Sequence, residues 1–510
     1  MEMTVESYQV SFTASNPVLV VSVAFFVYLL TRIIYDLYFH PLSRIPGPAS
    51  WSCSRLPFVW ALLRGTIVHD IELLHKKYGP VLRIAPNEVT FASSEAWGDI
   101  HQPRPNHQPF LKDPLWWSSQ PGHPNSIINA IDPKVHSRIR KALAPGFTPR
   151  ALRSQEPFIQ KYVNLLVERL KDQAPSDLSF EIDISPWFNY TTFDIFGDLG
   201  FGESFECLEK STYHPWIALL FNSVKAAGFV VSARFYPWVE FILMKCIPPS
   251  LKKVQKDHYH QIVEKVDRRL NWELDRPDLM SHVILRRAEE TGLPHGEICA
   301  TFMVLTTAGS ETTATTLCGA VNYLTAHPEK LAILSMEISS TFYNMEQITL
   351  AALQDLPYLN AVIQEALRLC PAIPWVLPRR VPTGGDTVCG FWLPGGTPVS
   401  IQAWTLNRDP SYFHDPTSFE PERWLPEAYS KKGSPFYCDQ RQAIEPFSTG
   451  PRSCMGKHIA WAEMRLILAK LLFTFDLEAV AGKEFKWEEL RTFLLVEKRP
   501  IYVRLKPRAV

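Results

Sequence analysis

The segment Phe447-Ser448-Thr449-Gly450-Pro451-Arg452-Ser453-Cys454-Met455-Gly456 decides the fold of this chain. Cys454 lies between two glycines and directly before a long segment with apolar periodicity. A thiolate in a glycine-bounded loop at a helix start is a good metal ligand, because backbone N–H groups and the positive helix end stabilise the anionic sulfur. Arg452 can bind a carboxylate through two N–H donors. The alternative is a structural cysteine buried in a turn, which is the commoner fate of a lone cysteine.

The overall composition excludes two classes of protein. The chain has 510 residues, of which 46% are hydrophobic and 12% aromatic, so it can bury a large core. Its net charge is zero and no basic block occurs, which argues against nucleic-acid binding. The nine cysteines are odd in number and contain no C-x-x-C pair. This pattern indicates reduced thiols and a cytosol-facing body rather than a disulfide framework.

An apolar segment at residues 18–35 predicts a transmembrane anchor. About 18 residues at about 1.5 Å each span about 27 Å, the thickness of a thin internal membrane. A cleaved signal peptide is the competing interpretation, but Glu2 and Glu6 precede the segment and bulky residues follow it. The basic residues that follow place residues 1–17 in the lumen and the body in the cytosol; they are Arg32, Arg44, Arg55 and Arg64.

The rest of the chain is expected to form one catalytic unit, residues 51–510, after a hinge at residues 36–50. The prolines of Pro46-Gly47-Pro48 predict a stiff, extended linker. Residues 101–129 have no periodicity, and such a long irregular stretch in a compact body is often functional. The aromatic-rich residues 234–250 are expected to touch substrate or membrane, with an ordinary core loop as the alternative.

Two predicted helices carry candidate functional residues. Asp132-Pro133 begins a helix on which His136 and Arg140 share a face. Residues 294–327 read as one helix of about 34 residues, about 50 Å long, with Ala308-Gly309-Ser310-Glu311-Thr312-Thr313 in its middle. The small Ala308 and Gly309 let another group approach the backbone, and Thr312 can turn its hydroxyl onto the same groove. The structural alternative is a threonine bonded to the carbonyl four residues earlier.

These motifs, in this order, resemble those of cytochrome P450 monooxygenases. The spacing Phe-x-x-Gly-x-Arg-x-Cys-x-Gly matches that family's haem-binding loop at every fixed position: Phe447, Gly450, Arg452, Cys454 and Gly456. The resemblance implies the mostly α cytochrome P450 fold with a small β region, preceded by a single N-terminal transmembrane helix. It also implies haem b with Cys454 as the axial thiolate, a ligand that favours O–O cleavage.

The resemblance assigns further residues to the cofactor. His136 and Arg140 match a helix at the haem edge that holds a propionate. Leu377-Pro378-Arg379 matches the segment that sends an arginine to the second propionate, with Arg380 as the competing residue. Ala308 and Gly309 match positions that face the haem, and the acid–alcohol pair Glu311-Thr312 matches the family's proton relay for oxygen activation.

A buried ion network is also implied. Glu365 and Arg368 match the family's Glu-x-x-Arg pair, and Pro421-Glu422-Arg423-Trp424 matches the loop whose arginine completes a three-residue network. Trp424 replaces the more frequent Phe. Taken alone, Glu and Arg three residues apart on a helix would be a surface pair of little energetic weight.

The expected partners follow from the same resemblance. They are an apolar small-molecule substrate, O2, and an NADPH-cytochrome P450 reductase in the endoplasmic reticulum membrane, with cytochrome b5 as an additional electron donor. Residues 199–205 and 213–217 look most like fungal members that oxidise terpenoids or polyketides. A haem-thiolate isomerase or dehydratase is one alternative, although such proteins often lack the Ala-Gly-x-Glu-Thr patch. A haem-binding carrier or sensor is the other, and it needs no proton relay.

Overall fold

A computed structural model describes residues 17–119, 123–174, 179–214, 228–272, 276–286 and 292–508. The predicted lumenal tail, apart from residue 17, and residues 215–217 of the second fungal-like segment lie outside these ranges. The helices are Pro17–Ile34, Ala49–Cys53, Leu56–Arg64, Ile67–Tyr78, Glu95–His101, Pro114–Trp117, Pro133–Leu143, Pro149–Asp172, Ser185–Phe201, Cys207–Lys210, Pro237–Cys246, Pro249–Leu270, Ser281–Leu285, His295–Ala326, Pro328–Thr341, Leu350–Gln354, Pro357–Leu369, Ala403–Leu406, Pro426–Ser430 and Lys457–Thr474. The predicted mostly α architecture with a small β region is confirmed.

The strands form four small sheets. They are β1 Val81–Ala85, β2 Glu88–Phe91, β3 Leu111–Lys112, β4 Phe180–Asp183, β5 Val376–Arg380, β6 Asp386–Val388, β7 Phe391–Leu393, β8 Pro398–Ile401, β9 Phe475–Ala479, β10 Thr492–Phe493, β11 Leu495–Val496 and β12 Tyr502–Pro507. The largest sheet has the order β1-β2-β8-β5-β3, and all its neighbours are antiparallel except the parallel pair β2 and β8. The other sheets are β4-β12-β9, β6-β7 and β10-β11.

The helix His295–Ala326, called the central helix below, runs through the main core. Most of its residues are buried, and its bounds lie one residue inside the predicted 294–327 at each end, with Pro328 beginning the next helix. At Gly319 an added Cβ would lie 2.3 Å from the sulfur of Cys370, so only glycine allows this close helix contact. The helix Lys457–Thr474, called the cysteine helix below, begins just after Cys454 and is buried over most of its length. The core thus fixes Cys454 at the end of one buried helix and close to another.

The N-terminal helix Pro17–Ile34 stands outside the core. Its apolar side chains are exposed, with Val18 70% and Phe26 67% accessible. Among the described residues, the segment Val18–Phe39 is the one candidate long and apolar enough to cross a membrane. A helix that exposes its apolar face in this way fits a single-pass membrane anchor, and it does not form part of the core.

The predicted hinge at residues 36–50 packs in part against the body of the protein. Tyr35–Phe39 continues the anchor as a π-helical turn, and Leu42 and Ile45 are buried in the cluster that packs on the main sheet. The Arg83 side chain donates to the backbone oxygen of Asp36 at 2.7 Å, and the Arg83 N–H donates to Pro46 at 2.8 Å. The extended part is confined to Pro46-Gly47-Pro48, where the prolines predict it. Before it, burial of Leu42 and Ile45 holds the chain against the sheet.

Candidate active site

The cysteine loop has the geometry that its glycines predict. Gly450 has φ +74°, and a Cβ there would lie 2.1 Å from the backbone oxygen of His101. Any larger residue would therefore push the loop away from the helix Glu95–His101. The N–H of Cys454 donates to the oxygen of Phe447 at 2.8 Å and closes the turn. The loop is thus held in one conformation from Phe447 to Gly456.

Cys454 is an exposed residue, although many protein atoms lie close to its thiol. Burial raises the pKa of this thiol, and the backbone N–H groups of Gly456 and Lys457 and the charge of Arg140 oppose that rise. Arg140 is fixed by a 2.7 Å hydrogen bond from its guanidinium to the backbone oxygen of Ser453. The sulfur thus receives N–H donors and lies near a guanidinium charge, and both stabilise a thiolate.

A group of basic side chains lies beside this loop, and we call it the basic cluster: Lys112, His136, Arg379 and Arg452. Burial, then the charges of the neighbouring cations, lower the pKa of His136 to about 4. Burial and the charge of Arg452 lower the pKa of Arg379 to about 10. Lys112, which the sequence analysis missed, also has a pKa well below its usual value, because of burial and the charges of Arg452 and Arg379.

The basic cluster lacks matching negative charge. Its hydrogen bonds go to backbone oxygens: Arg452 donates to Ala130 and Ile131 at 2.7 and 2.8 Å, and Arg379 donates to Phe110 at 3.3 Å. Within the described ranges these cations form no salt bridge, and Asp132 is the acid whose charge acts on Arg452. By contrast, the competing Arg380 is paired with Asp113 at 3.2 Å. The structure thus favours Arg379 over Arg380 as the arginine available to an anion.

The central helix exposes one small residue in its middle. Ala308 is exposed although it lies in the middle of a core helix, and Thr312 is half-buried one turn later. The Thr312 hydroxyl donates to the backbone oxygen of Ala308 at 2.7 Å, which is the structural alternative that the sequence left open. A Cβ added to Gly309 would lie 3.1 Å from the ring of Phe196, so Gly309 contacts the helix Ser185–Phe201 instead. Of the two small residues that were predicted to leave the backbone open, only Ala308 is exposed.

Glu311 and Thr312 have separate surroundings. Consecutive helix residues point about 100° apart, and the Glu311 carboxylate is buried and ion-paired with the Lys498 ammonium at 2.7 Å. Burial raises the pKa of Glu311, and the charge of Lys498 opposes this rise. Lys498 also donates to the side-chain oxygen of Asn189 at 3.1 Å. The predicted acid–alcohol pair is adjacent in sequence, but its acid is held by a lysine from near the C-terminus.

The predicted network of Glu365, Arg368 and Arg423 is fully buried. Arg368 makes two hydrogen bonds to the Glu365 carboxylate, at 2.7 and 2.8 Å, and Arg423 adds one at 3.1 Å. Asp439, which the sequence analysis missed, accepts from Arg423, so two acids balance two arginines. The indole N–H of Trp424 donates to Glu365 at 2.8 Å, a bond that the more frequent Phe cannot make. The surface-pair interpretation is therefore wrong.

A further acid, Glu463, lies alone between the cysteine helix and the central helix. It is 2% exposed, and one of its carboxylate oxygens has no hydrogen-bond partner among the described residues. Burial raises the pKa of Glu463 to about 8, opposed by a hydrogen bond with the Thr313 hydroxyl. This acid is therefore largely protonated at neutral pH. No spacing in the sequence distinguishes Glu463 from a solvent-facing glutamate of an amphipathic helix.

The geometry fits a haem better than an isolated metal ion. Cys454 offers one thiol ligand, and the described residues contain no group of three or more His, Cys, Asp or Glu side chains that could hold a metal ion. The unbalanced basic cluster needs an anion, and the two carboxylates of a haem supply one. The class of protein that the fold and the site define is therefore a haem-thiolate protein.

Comparison with known proteins agrees with this class. The cytochrome P450 family model matches residues 48–505. The chain is 42% identical to cytochrome P450 monooxygenase lcsI of Purpureocillium lilacinum, over 97% of this chain and 96% of that protein. It is 39% identical to the averantin hydroxylase of Dothistroma septosporum, over 96% and 91% of the two chains. It is also 39% identical to the trichothecene C-15 hydroxylase of Fusarium sporotrichioides, over 94% and 96%.

The chain belongs to the cytochrome P450 family and is a monooxygenase of the kind found in fungal secondary-metabolite pathways. The family prediction made from the cysteine loop is confirmed. The roles of individual residues stay predictions, because a family match assigns an activity to the chain and not to a side chain.

Proposed function

We propose that this enzyme hydroxylates an apolar small molecule of the terpenoid or polyketide class, with electrons from a separate NADPH-dependent reductase. The observation that carries this proposal is the accessible Cys454 thiol, with a basic cluster beside it and Ala308 on the central helix exposed to open space. The names of two relatives, a hydroxylase of averantin and one of a trichothecene, support the substrate class.

Each group has a defined task in this proposal. When bound, the haem supplies oxygen activation and the oxidation of the substrate. Cys454 would hold the haem iron through its thiolate, and the N–H donors beside it would stabilise the negative sulfur. Arg140, Arg379, His136 and Arg452 bind and orient the carboxylates at the haem edge. The exposed face at Ala308 leaves room for substrate and O2.

Thr312 and Glu311 are proposed to supply protons. The Thr312 hydroxyl donates to Ala308, so its oxygen can accept a hydrogen bond from water in the groove before it rotates to pass a proton on. Glu311 has a raised pKa and one carboxylate oxygen without a hydrogen-bond partner among the described residues. A buried carboxylate with one unpaired oxygen can take a proton from water and pass it on towards the groove.

The N-terminal helix supports a microsomal location. We place the enzyme in the endoplasmic reticulum membrane with residues 1–17 in the lumen and the body in the cytosol, close to a membrane-bound reductase and to cytochrome b5. The helix Pro237–Cys246 exposes further apolar side chains, with Trp238 68% and Phe241 61% accessible. Both surfaces therefore favour lipid over water.

The axial ligand is tested with Cys454→Ala. The reduced carbon monoxide complex of the wild-type protein should show the far-red Soret band of a thiolate-ligated haem, and the variant should lose that band or the haem. An unchanged band in the variant would overturn the assignment. Product formation that requires NADPH, reductase and O2 would distinguish hydroxylation from peroxide isomerisation and from a carrier or sensor without turnover.

Thr312→Ala tests the proton step. We expect the variant to keep haem and substrate binding while the product formed per NADPH falls, because a positioned proton donor typically contributes about 10²–10⁴-fold. Thr325→Ala is the matched control, since Thr325 makes the same type of bond, to Val321 at 2.9 Å, near the end of the central helix. An unaltered ratio in haem-loaded Thr312→Ala would refute the relay.

The substrate itself is identified by deleting the gene and characterising the metabolite that accumulates. The purified enzyme with reductase should then convert that metabolite into a hydroxylated product. Accumulation of a charged, strongly polar metabolite that the enzyme converts would contradict the proposed substrate class.

A further inference from the structure

Two like charges face each other in the shortest pairing of the main sheet. In the antiparallel register of β3 and β5, Lys112 lies opposite Arg379, and Leu111 lies opposite Arg380. Directly opposed like charges destabilise a strand pair. The β3–β5 ladder has only two residue pairs, so little backbone bonding is present to offset this repulsion.

The adjacent pair shows the difference that a counter-charge makes. Arg380 is bonded to both carboxylate oxygens of Asp113, at 3.2 and 3.3 Å, and Asp113 is 1% exposed. Lys112 and Arg379 have no such acid within the described ranges, although Asp113 directly follows Lys112 in sequence. The one carboxylate of the strand pair thus neutralises Arg380 and leaves the Lys112–Arg379 pair doubly positive.

Lys112 is nevertheless held in place. Its ammonium donates one hydrogen bond to the backbone oxygen of Ile128 and lies 3.9 Å from the centroid of the Trp117 ring. An ammonium has three N–H donors, and these contacts leave two of them for another acceptor. The residue is half-buried, and its ammonium lies near the guanidinium groups of Arg379 and Arg452, whose charges lower its pKa.

We propose that Lys112 and Arg379 share one carboxylate of the bound haem, and that this shared anion holds β3 against β5. Lys112 is then a cofactor-binding residue outside the motifs that identify the family. The inference rests on haem binding alone and is independent of the substrate and of Thr312.

The experiment uses purified, haem-loaded protein and two readouts, transfer of haem to apomyoglobin and the midpoint potential of the iron. Lys112→Met should speed haem transfer about tenfold or more, since a charge-assisted hydrogen bond is lost. It should also shift the potential to more negative values, because removing a nearby positive charge favours the ferric state. Lys112→Arg should restore both values, and Lys134→Met, at an exposed lysine of the helix Pro133–Leu143, should change neither.

Lys112→Gln separates charge from a purely structural role. Glutamine keeps a donor for Ile128 but carries no charge, so the proposal expects it to behave as Met does. Wild-type values in Lys112→Gln would show that only the hydrogen bond to Ile128 matters and would overturn the proposal. This variant also gives the answer if Lys112→Met fails to fold.

The sharing of one anion is tested by combining Lys112→Met with Arg379→Met. If both side chains bind the same carboxylate, their effects on haem transfer should not add. Additive effects would overturn the shared site. The carboxylate of an acidic substrate is a second source of such an anion; an effect of Lys112→Met seen only after an acid is added would overturn the assignment to haem.

Discussion

The buried ion network and the basic cluster differ in charge balance: the network contains acids that match its arginines, and the basic cluster does not. In the network, Glu365 and Asp439 balance Arg368 and Arg423, and all four side chains are buried. In the basic cluster, the charges of Lys112, Arg379 and Arg452 repel one another and lower the pKa of His136, and the hydrogen bonds of these three side chains go to backbone oxygens.

This difference separates structural charge from charge that serves a ligand. A buried ion pair must be fully bonded to offset the cost of removing it from water. The network meets that condition with protein groups alone, so its role is complete without a ligand. The basic cluster is fully bonded only when an anion is bound. Its contribution to the free energy of folding therefore depends on the cofactor.

The strongest test of this contrast is Glu365→Ala. Removing the acid leaves Arg368 and Arg423 buried without their shared partner, which typically costs about 3–5 kcal/mol of folding free energy. We expect this loss with and without haem, measured by denaturant unfolding of both forms. Glu478→Ala is the control, because its side chain is 68% exposed and lies 3.9 Å from Arg504. Destabilisation confined to the haem-loaded protein would contradict the structural role.

Glu463 extends the comparison to a buried acid that has no ionic partner among the described residues. Its pKa is about 8 in the folded protein and about 4.5 when unfolded, so the folded state binds the proton more tightly. Its contribution to stability is therefore greatest below about pH 4.5, falls as the pH rises to about 8, and is constant above that. Glu463→Gln should flatten this part of the pH profile of thermal unfolding by a few kcal/mol, whereas exposed Glu427→Gln should not. An unchanged profile would mean that Glu463 is ionised in the fold.

Arg379→Met should affect the cofactor more than the fold. Losing one charge-assisted bond to a carboxylate costs about 1.5–3 kcal/mol, or about 10–100-fold in haem retention. Removing a cation from the basic cluster relieves repulsion, so unfolding of the haem-free protein should not become easier. Arg380→Met is the matched control, since it leaves Asp113 unpaired and should lower folding stability instead. Equal effects of the two variants would remove the distinction between these arginines.

The smallest effect is expected for Trp424→Phe. The change deletes the 2.8 Å bond from the indole N–H to Glu365 and leaves the bonds from Arg368 and Arg423. We expect a loss of about 1 kcal/mol of folding free energy, measured by denaturant unfolding, with an unchanged carbon monoxide spectrum. A spectral change would show that the network also positions the cysteine loop.

The sequence by itself determined the family, the cysteine loop and the order of the main helices. These features depend on local rules, such as the glycines that allow the Gly450 turn and the proline that begins the helix Pro133–Leu143. Glu365 and Arg368 are likewise fixed by a spacing of three on one helix, so their pairing was predictable. Local signals of this kind are readable without knowledge of distant contacts.

Only the tertiary structure decided which charges are balanced. Lys498 reaches Glu311, Asp439 reaches Arg423, and Lys112 faces Arg379 across a strand pair. It also showed that residues 36–45 pack on the sheet and that Gly309 contacts Phe196. Each of these depends on contacts between segments far apart in the chain, for which spacing carries no signal. Burial and long-range electrostatics arise from the assembled core, so charge balance is a property of the fold and not of the motifs.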